Sequence, residues 1–84
     1  NPHHVKAFNN RGLAYSELGQ QHKAIRDFNK AIHLNPDYAV AYANRAKAHL
    51  KSGNKSDGCQ DAKKACERGN CIVIQALKAK ETCR

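Results

Sequence analysis

The sequence has no tryptophan and no methionine, and its 84 residues include only two phenylalanines and three tyrosines. Alanine is therefore the largest contributor to its 40% hydrophobic content. A chain of this length buries only about 60–65% of the surface that it exposes when unfolded, so we expect a thin, closely packed core. No β-rich alternating run is present, and alanine has the strongest helix propensity. The composition predicts an all-helical domain.

Acidic residues are also scarce: 7 against 15 lysines and arginines, which leaves a formal charge of +8. A positive field attracts nucleic acid, an anionic membrane surface or an acidic protein, and charge alone does not choose among them. The cations are scattered and form no five-residue run, so a solvated helix surface explains them as well. There is no apolar run of 18 residues and no leader with a charged start and an apolar middle. The sequence thus predicts no membrane span.

The sequence also lacks the motifs that are typical of enzymes. We find no glycine-rich phosphate loop, no paired carboxylates and no cluster of metal ligands. A cysteine nucleophile beside His33 or His49 is conceivable. His49, however, occupies the position that Tyr15 holds one repeat earlier, so packing explains it better. We expect no enzyme activity, no cofactor and no metal.

What the sequence does contain is a repeat with a period of 34 residues, the first feature to look for in such a chain. A shift by that length aligns identical or similar residues without a gap: Asn1-Pro2 with Asn35-Pro36, Ala7 with Ala41, Phe8 with Tyr42, Asn10-Arg11 with Asn44-Arg45, Ala14 with Ala48, Gly19 with Gly53, Asp27 with Asp61, and Lys30-Ala31 with Lys64-Ala65. Within each unit the apolar residues recur at helical spacing. Each unit therefore predicts two amphipathic helices.

Glycine and proline predict where these helices end. Gly19 can end the first helix in a left-handed conformation that only glycine adopts cheaply. Asn35-Pro36 predicts a break, with Pro36 near the start of the following helix, and Asn1-Pro2 should act in the same way. We expect helices over about 3–18, 21–34, 37–51, 55–68 and 71–82.

This pattern resembles the tetratricopeptide repeat (TPR) family. The residues that carry the resemblance stand at the family's spacings: Phe8, Gly12, Tyr15, Ala24, Phe28, Ala31 and Pro36. The second repeat has drifted, with His49 for Tyr15, Gly58 for Ala24, Ala62 for Phe28 and Asn70 for the closing proline. The resemblance implies one domain over 1–84, a right-handed α-α superhelix of two antiparallel helix hairpins (about 3–36 and 37–70) and a capping helix (about 71–84).

The resemblance also implies a function, which is to hold an extended peptide or partner protein in a concave groove lined by the first helix of each repeat. Helical spacing directs a set of side chains toward it, and we take these as binding candidates: Lys6, Asn9, Asn10, Leu13, Glu17, Val40, Ala43, Asn44, Lys47 and Lys51. Some long arrays of the family hold peptide backbones with an asparagine ladder, and the equivalent pair Asn10 and Asn44 looks similar. The alternative is an asparagine that bonds locally between helices.

The lysines Lys6, Lys47 and Lys51 would contact acidic side chains or a carboxy-terminus, although simple solvation explains each of them too. Chaperone-binding members of the family use a carboxylate clamp of lysine, asparagine and arginine over three repeats. Here Asn44 alone matches that clamp, because Leu13 replaces a required asparagine and a third repeat is missing. We therefore do not expect binding of chaperone carboxy-termini.

Four cysteines lie within the last 26 residues, at gaps of six, four and eleven residues. Structural zinc usually takes a short gap of two to four residues on at least one side, and no histidine lies inside this cluster, so disulfides are favoured. On one helix Cys59 and Cys66 would stand about 10 Å apart, beyond the bridging limit. A hairpin turn near Gly69-Asn70 instead predicts a nested pairing, Cys66 with Cys71 and Cys59 with Cys83.

Disulfides persist in oxidising compartments, so we expect an extracytoplasmic setting such as a bacterial periplasm, or secretion. Reduced thiols in a cytosolic protein are the alternative. Because Asn1-Pro2 corresponds to the end of a repeat, we also expect further repeats upstream in a parent protein. The rival functions are a basic module for nucleic acid or another acidic partner, and a purely structural end cap of a longer array.

Overall fold

The computed structural model describes residues 2–80, 82 and 83, and that part of the chain consists of five α-helices without strands. They are α1 (Pro2–Glu17), α2 (Gln21–Leu34), α3 (Ala39–Lys51), α4 (Lys55–Glu67) and α5 (Ile72–Ala79). Helices α1 and α2 pair as one hairpin, α3 and α4 as a second, and α5 packs on α4 and α3. The all-helical prediction and the two hairpins are confirmed. Asn1 and Glu81, predicted in a break and in the last helix, lie outside the described residues.

Glycines turn the chain between the two helices of each hairpin, as the sequence predicts. Gly19 has φ 81° and Gly53 has φ 86°, both in the left-handed region. Beyond each glycine a backbone N–H closes the end of the preceding helix: that of Gln20 donates to the carbonyl of Tyr15 at 2.9 Å, and that of Asn54 to the carbonyl of His49 at 2.8 Å. Both turns are therefore the glycine-ended helix cap expected of a hairpin repeat.

The predicted start of α3 is wrong by two residues. The Asn35 side chain accepts a hydrogen bond from the backbone N–H of Asp37 at 3.1 Å. The backbone carbonyl of Asn35 accepts a second one from the backbone N–H of Tyr38, also at 3.1 Å. This turn holds Pro36 and the two residues after it outside the helix, so α3 begins at Ala39. The last helix is also shorter than predicted, since it ends at Ala79 and Thr82 turns back to bond the carbonyl of Leu77 at 2.8 Å.

The helices of each hairpin cross where a glycine meets an alanine. A Cβ at Gly12 would stand 2.6 Å from the Phe28 ring and 3.1 Å from the carbonyl oxygen of Ala24. In the second hairpin the order is reversed, and a Cβ at Gly58 would lie 3.2 Å from the carbonyl oxygen of Ala46. Because Gly12 and Gly58 have no side chain, the two backbones of each hairpin approach closely at these positions.

A buried carboxylate paired with an arginine joins the two helices of each hairpin. Arg11 holds Asp27 through two hydrogen bonds of 2.7 Å, and Arg45 holds Asp61 through bonds of 2.7 and 2.8 Å. Both aspartates are almost completely buried, so the charge is compensated where water is excluded. The two pairs are equivalent under the 34-residue period. His49 Nε2 lies 3.6 Å from Asp61 Oδ2, beside the second of these pairs.

The structure contains two disulfides, Cys59–Cys83 and Cys66–Cys71. The inner bridge spans the turn between α4 and α5, and the outer one ties the chain after α5 back to α4. Together they hold α5 on the second hairpin. Two apolar residues of α5, Val73 and Ile74, are buried in the core of that hairpin.

Candidate peptide-binding groove

The first helices of the two hairpins, α1 and α3, lie next to each other and form the face on which the sequence places its binding candidates. On α1, helical spacing puts Lys6, Asn10, Leu13 and Glu17 on one side, and all four are exposed. Leu13 is apolar and nevertheless 39% exposed. This side of α1 therefore presents a cation, an amide, an apolar side chain and a carboxylate to solvent.

The same face of α3 is more cationic. Lys47 and Lys51 are exposed, and Val40 is 42% exposed. Ala43, which was also expected in the groove, is instead buried at 4% exposure in the core cluster that includes Val73 and Ile74. Ala43 thus packs in the core cluster that α5 joins, and its assignment to the groove stays a prediction.

Asn9 and Asn44 form the contact between α1 and α3. The amide nitrogen of Asn44 donates to the amide oxygen of Asn9 at 3.0 Å, and the two residues are 9% and 4% exposed, respectively. The bond therefore joins the first helices of the two repeats at the base of the groove. The side-chain oxygen of Asn44 and the side-chain nitrogen of Asn9 take no part in this bond.

The equivalent residues Asn10 and Asn44 do not share an environment, although the period aligns them. Asn44 is buried and bonded to Asn9 of α1, whereas Asn10 is exposed on the same side of α1 as Lys6 and Leu13. The physical reason is that a repeat position faces the preceding first helix, and no helix precedes α1 in the described part of the chain. Asn9, one residue earlier, faces α3 instead.

Two of the strongest polar contacts in the molecule, the Arg11–Asp27 and Arg45–Asp61 pairs, were not predicted from the sequence. Hydrogen bonds from Arg11 lower the pKa of Asp27, against the smaller opposing effect of burial. A signal was available, since each arginine precedes its aspartate by 16 residues in both repeats. These pairs hold the hairpins together and do not line the groove.

In the described residues, 2–80, 82 and 83, no group of three or more His, Cys, Asp or Glu side chains is arranged to hold a metal ion. The conceivable cysteine nucleophile is excluded in this state, because all four cysteines are in disulfides. None of the described helices is long and apolar enough to cross a membrane.

Comparison with known families gives two matches, both described as tetratricopeptide repeat, over residues 5–38 and 28–60. The first match coincides with the first hairpin and the turn after it. The second spans the end of α2, all of α3 and the start of α4. Neither match extends past residue 60, so three of the four disulfide cysteines, Cys66, Cys71 and Cys83, lie outside both.

Curated relatives are similar over much of this chain. Tetratricopeptide repeat protein 36 of Mus musculus is 39% identical over 62 residues, which is 74% of this chain and 33% of that protein. The mitochondrial import receptor subunit TOM70 of Homo sapiens is 37% identical over 59 residues, 70% of this chain and 10% of that protein. The heat shock protein sti1 homolog of Schizosaccharomyces pombe is 43% identical over 47 residues, 56% of this chain and 8% of that protein.

The chain thus spans between about a twelfth and a third of the length of these relatives. The hairpin geometry, the two family matches and the relatives agree: the chain belongs to the tetratricopeptide repeat family and is a protein-interaction repeat module.

Proposed function

We propose that this module holds an extended, acidic peptide segment of a partner protein in the groove between α1 and α3. The observation that carries the proposal is the composition of that face. Lys6, Lys47 and Lys51 are exposed there together with Leu13 and Val40. A face that carries both cations and apolar side chains is complementary to a peptide that carries both acidic and apolar residues.

The asparagine pair supports a role in contacting the peptide backbone. With Asn44 Nδ2 and Asn9 Oδ1 bonded to each other, the atoms outside that bond are one acceptor, Asn44 Oδ1, and one donor, Asn9 Nδ2. A peptide unit offers one N–H and one carbonyl, so this pair is complementary to it. Asn10 adds a second amide on the exposed side of α1.

Two first helices make a short groove, so we expect modest affinity from this chain alone. We propose that the chain is one domain, with a first repeat over about 3–36, a second over about 37–70 and a closing helix over about 71–84. Further repeats upstream in a parent protein would lengthen the groove. The similarity of the chain to only a fraction of each relative supports this view.

The test uses a fluorescent peptide of alternating aspartate and valine residues, with binding measured by anisotropy. Lys47→Glu combined with Lys51→Glu should weaken binding about tenfold, since two attractions become repulsions close to the peptide. The matched control is Lys55→Glu with Lys63→Glu, which makes the same charge change on exposed positions of α4. An equal loss in both variants would mean that net charge, and not the groove, binds the peptide.

A second measurement tests the asparagine pair. Asn44→Ala should reduce affinity for the aspartate–valine peptide and for a matched serine–valine peptide by a similar factor, because backbone contacts do not depend on side chains. Thermal unfolding of the variant shows whether it is folded. Undiminished binding by a folded Asn44→Ala protein would dismiss the backbone contact.

Nucleic acid is the rival ligand, favoured by the formal charge of +8. A thymidine oligomer should bind weakly at physiological salt, and competition with the acidic peptide measures this directly. Stronger binding of the oligomer, with affinity falling steeply as salt rises, would replace the peptide proposal.

We also propose that the chain works in an oxidising compartment. Two disulfides in a small domain support an extracytoplasmic setting, as in secreted proteins or a bacterial periplasm. Thiol alkylation of the protein in intact cells, followed by mass spectrometry, tests this. Alkylation of all four cysteines before any reduction would place the protein in a reducing compartment.

A further inference from the structure

We infer that Glu17 is a specificity-determining residue of the groove, which selects a basic residue at one end of the bound peptide. Glu17 is the last residue of α1, and Lys51 is the last residue of α3. The inference rests on the peptide-binding function proposed above and narrows it. The ligand becomes an acidic peptide that carries a lysine or arginine beside one of its acidic residues.

The groove face stays exposed when another hairpin is packed beside it. Val40, Lys47 and Lys51 on α3 are exposed although the first hairpin precedes them. Leu13 and Glu17 on α1 are exposed although the second hairpin follows them. A shift of 34 residues aligns Glu17 with Lys51, so this position is exposed both with a following and with a preceding hairpin. The exposure of Glu17 therefore does not depend on what lies before α1.

Glu17 differs in charge from the other candidates for the groove. It is the one carboxylate among them, and the other charged members are lysines. The bond between Asn9 and Asn44 joins α1 and α3 at nearly aligned positions, so Glu17 and Lys51 lie at the same end of the groove. Within residues 2–80, 82 and 83, neither of them forms an ion pair. This end of the groove thus presents two unpaired charges of opposite sign.

The helix end adds to the negative charge around Glu17. The last carbonyl groups of a helix carry partial negative charge, so a cation there is favourable and a carboxylate is not. Helix α3 follows this rule, with His49 and Lys51 in its last turn. Helix α1 has no basic residue in its last turn and ends at Glu17. A ligand cation would therefore relieve an unfavourable charge that the first hairpin leaves uncompensated.

The chemistry of this end indicates a basic side chain of the peptide. A lysine ammonium or an arginine guanidinium donates charged hydrogen bonds to one carboxylate, whereas a divalent metal ion needs several oxygen ligands. Adjacent side chains of an extended peptide point to opposite sides. A basic residue next to an acidic one can therefore reach Glu17 on α1 while its neighbour reaches Lys51 on α3.

The experiment is a charge scan of the aspartate–valine peptide. Each position is replaced in turn by lysine and, in a second series, by glutamate. Binding of every peptide to wild type and to Glu17→Lys is measured by anisotropy at low ionic strength, where exposed charges interact most strongly. Glu17→Lys should melt no lower than wild type, because a cation suits the end of a helix.

Lysine should weaken binding at most positions, because the protein carries a formal charge of +8 and the peptide loses negative charge. At one position near an end of the peptide, lysine should instead bind about threefold more tightly than glutamate, since an attraction replaces a repulsion at an exposed pair. In Glu17→Lys the order at that position should reverse. The end at which this occurs gives the direction in which the peptide runs.

The matched control is Glu67→Lys. Glu67 is exposed and is also the last residue of its helix, but that helix is α4, which does not line the groove. The variant has the same net charge as Glu17→Lys. It should keep the preference of wild type for lysine at the selected position.

Three results would overturn the inference while leaving the proposed function intact, provided that the parent peptide binds and that Lys47→Glu with Lys51→Glu weakens it. They are the absence of any position that prefers lysine to glutamate, a preference that Glu17→Lys does not reverse, and an equal reversal in Glu67→Lys. Failure of the parent peptide to bind, or binding that the two lysine changes do not weaken, would instead refute the proposed function and this inference with it.

Discussion

The two disulfides should contribute unequally to stability, because they close loops of different length. Cys59 and Cys83 are 24 residues apart, whereas Cys66 and Cys71 are 5 apart. The entropy removed from the unfolded chain corresponds to about 3.5 kcal/mol for the longer loop and about 2 kcal/mol for the shorter. We therefore expect the outer bridge to exceed the inner one by about 1.5 kcal/mol. In a domain of this size such a difference is a large part of the total.

The assay is urea unfolding followed by circular dichroism, with each cysteine pair replaced by alanine in turn. Alanine is chosen because Cys83 is buried and a serine hydroxyl there would need a partner. If unfolding of this small domain has a slope of about 1 kcal/mol per molar urea, the midpoints of the two variants should differ by about 1.5 M. Cys59→Ala with Cys83→Ala should be the less stable variant.

Reduced protein provides the internal control, since it should unfold at the same midpoint as a variant that lacks all four cysteines. Similar slopes for the variants would show that they unfold from comparable native states. A variant without the inner bridge that is as unstable as the one without the outer bridge would refute the loop-length reasoning. Free thiols in protein purified without reductant would refute both bridges.

Three further predictions concern packing and charge in the first hairpin. Gly12→Ala should lower the free energy of unfolding by about 1–3 kcal/mol, despite the better helix propensity of alanine, because its Cβ meets the fully buried Phe28 ring; chemical denaturation measures this. Ala24→Leu should cost a similar amount by overpacking the same crossing, and an unchanged melting temperature would contradict the packing described here. Arg11 lowers the pKa of Asp27, so the ionised carboxylate stabilises the fold above its unfolded pKa of about 4, and that contribution is lost as pH falls through the lowered value. Asp27→Asn should therefore be less stable at neutral pH and lose less stability on acidification. If the free energy of unfolding of Asp27→Asn fell with decreasing pH as steeply as that of wild type, this reasoning would be contradicted.

The fold was predictable because its determinants are local. A glycine with positive φ ends the first helix of each hairpin, and the 34-residue period repeats that signal at Gly19 and Gly53. The start of α3 was misplaced because Asn35 closes a turn through its side chain and its backbone carbonyl, and this turn keeps residues 36–38 out of the helix. That turn leaves no trace in the spacing of apolar residues.

The site was less predictable, because its residues depend on neighbours distant in sequence. Helical spacing assigns Ala43 to the groove face, but the residue packs in the core cluster that α5 joins. The period aligns Asn44 with Asn10, but the residue that Asn44 meets is Asn9. Helical spacing gives the direction of a side chain around the axis of its own helix. Whether that side chain is buried depends on which other helices lie on that side.

The exchange of glycine and alanine between the hairpins has a consequence for how such repeats are recognised. In one hairpin Gly12 faces Ala24, and in the other Ala46 faces Gly58, so the separation of the two helix axes is set by the combined size of a pair. A profile that scores each alignment column independently counts two mismatches where the three-dimensional constraint is fully met. Divergent repeats like this one would be detected more sensitively by scoring the two crossing positions jointly.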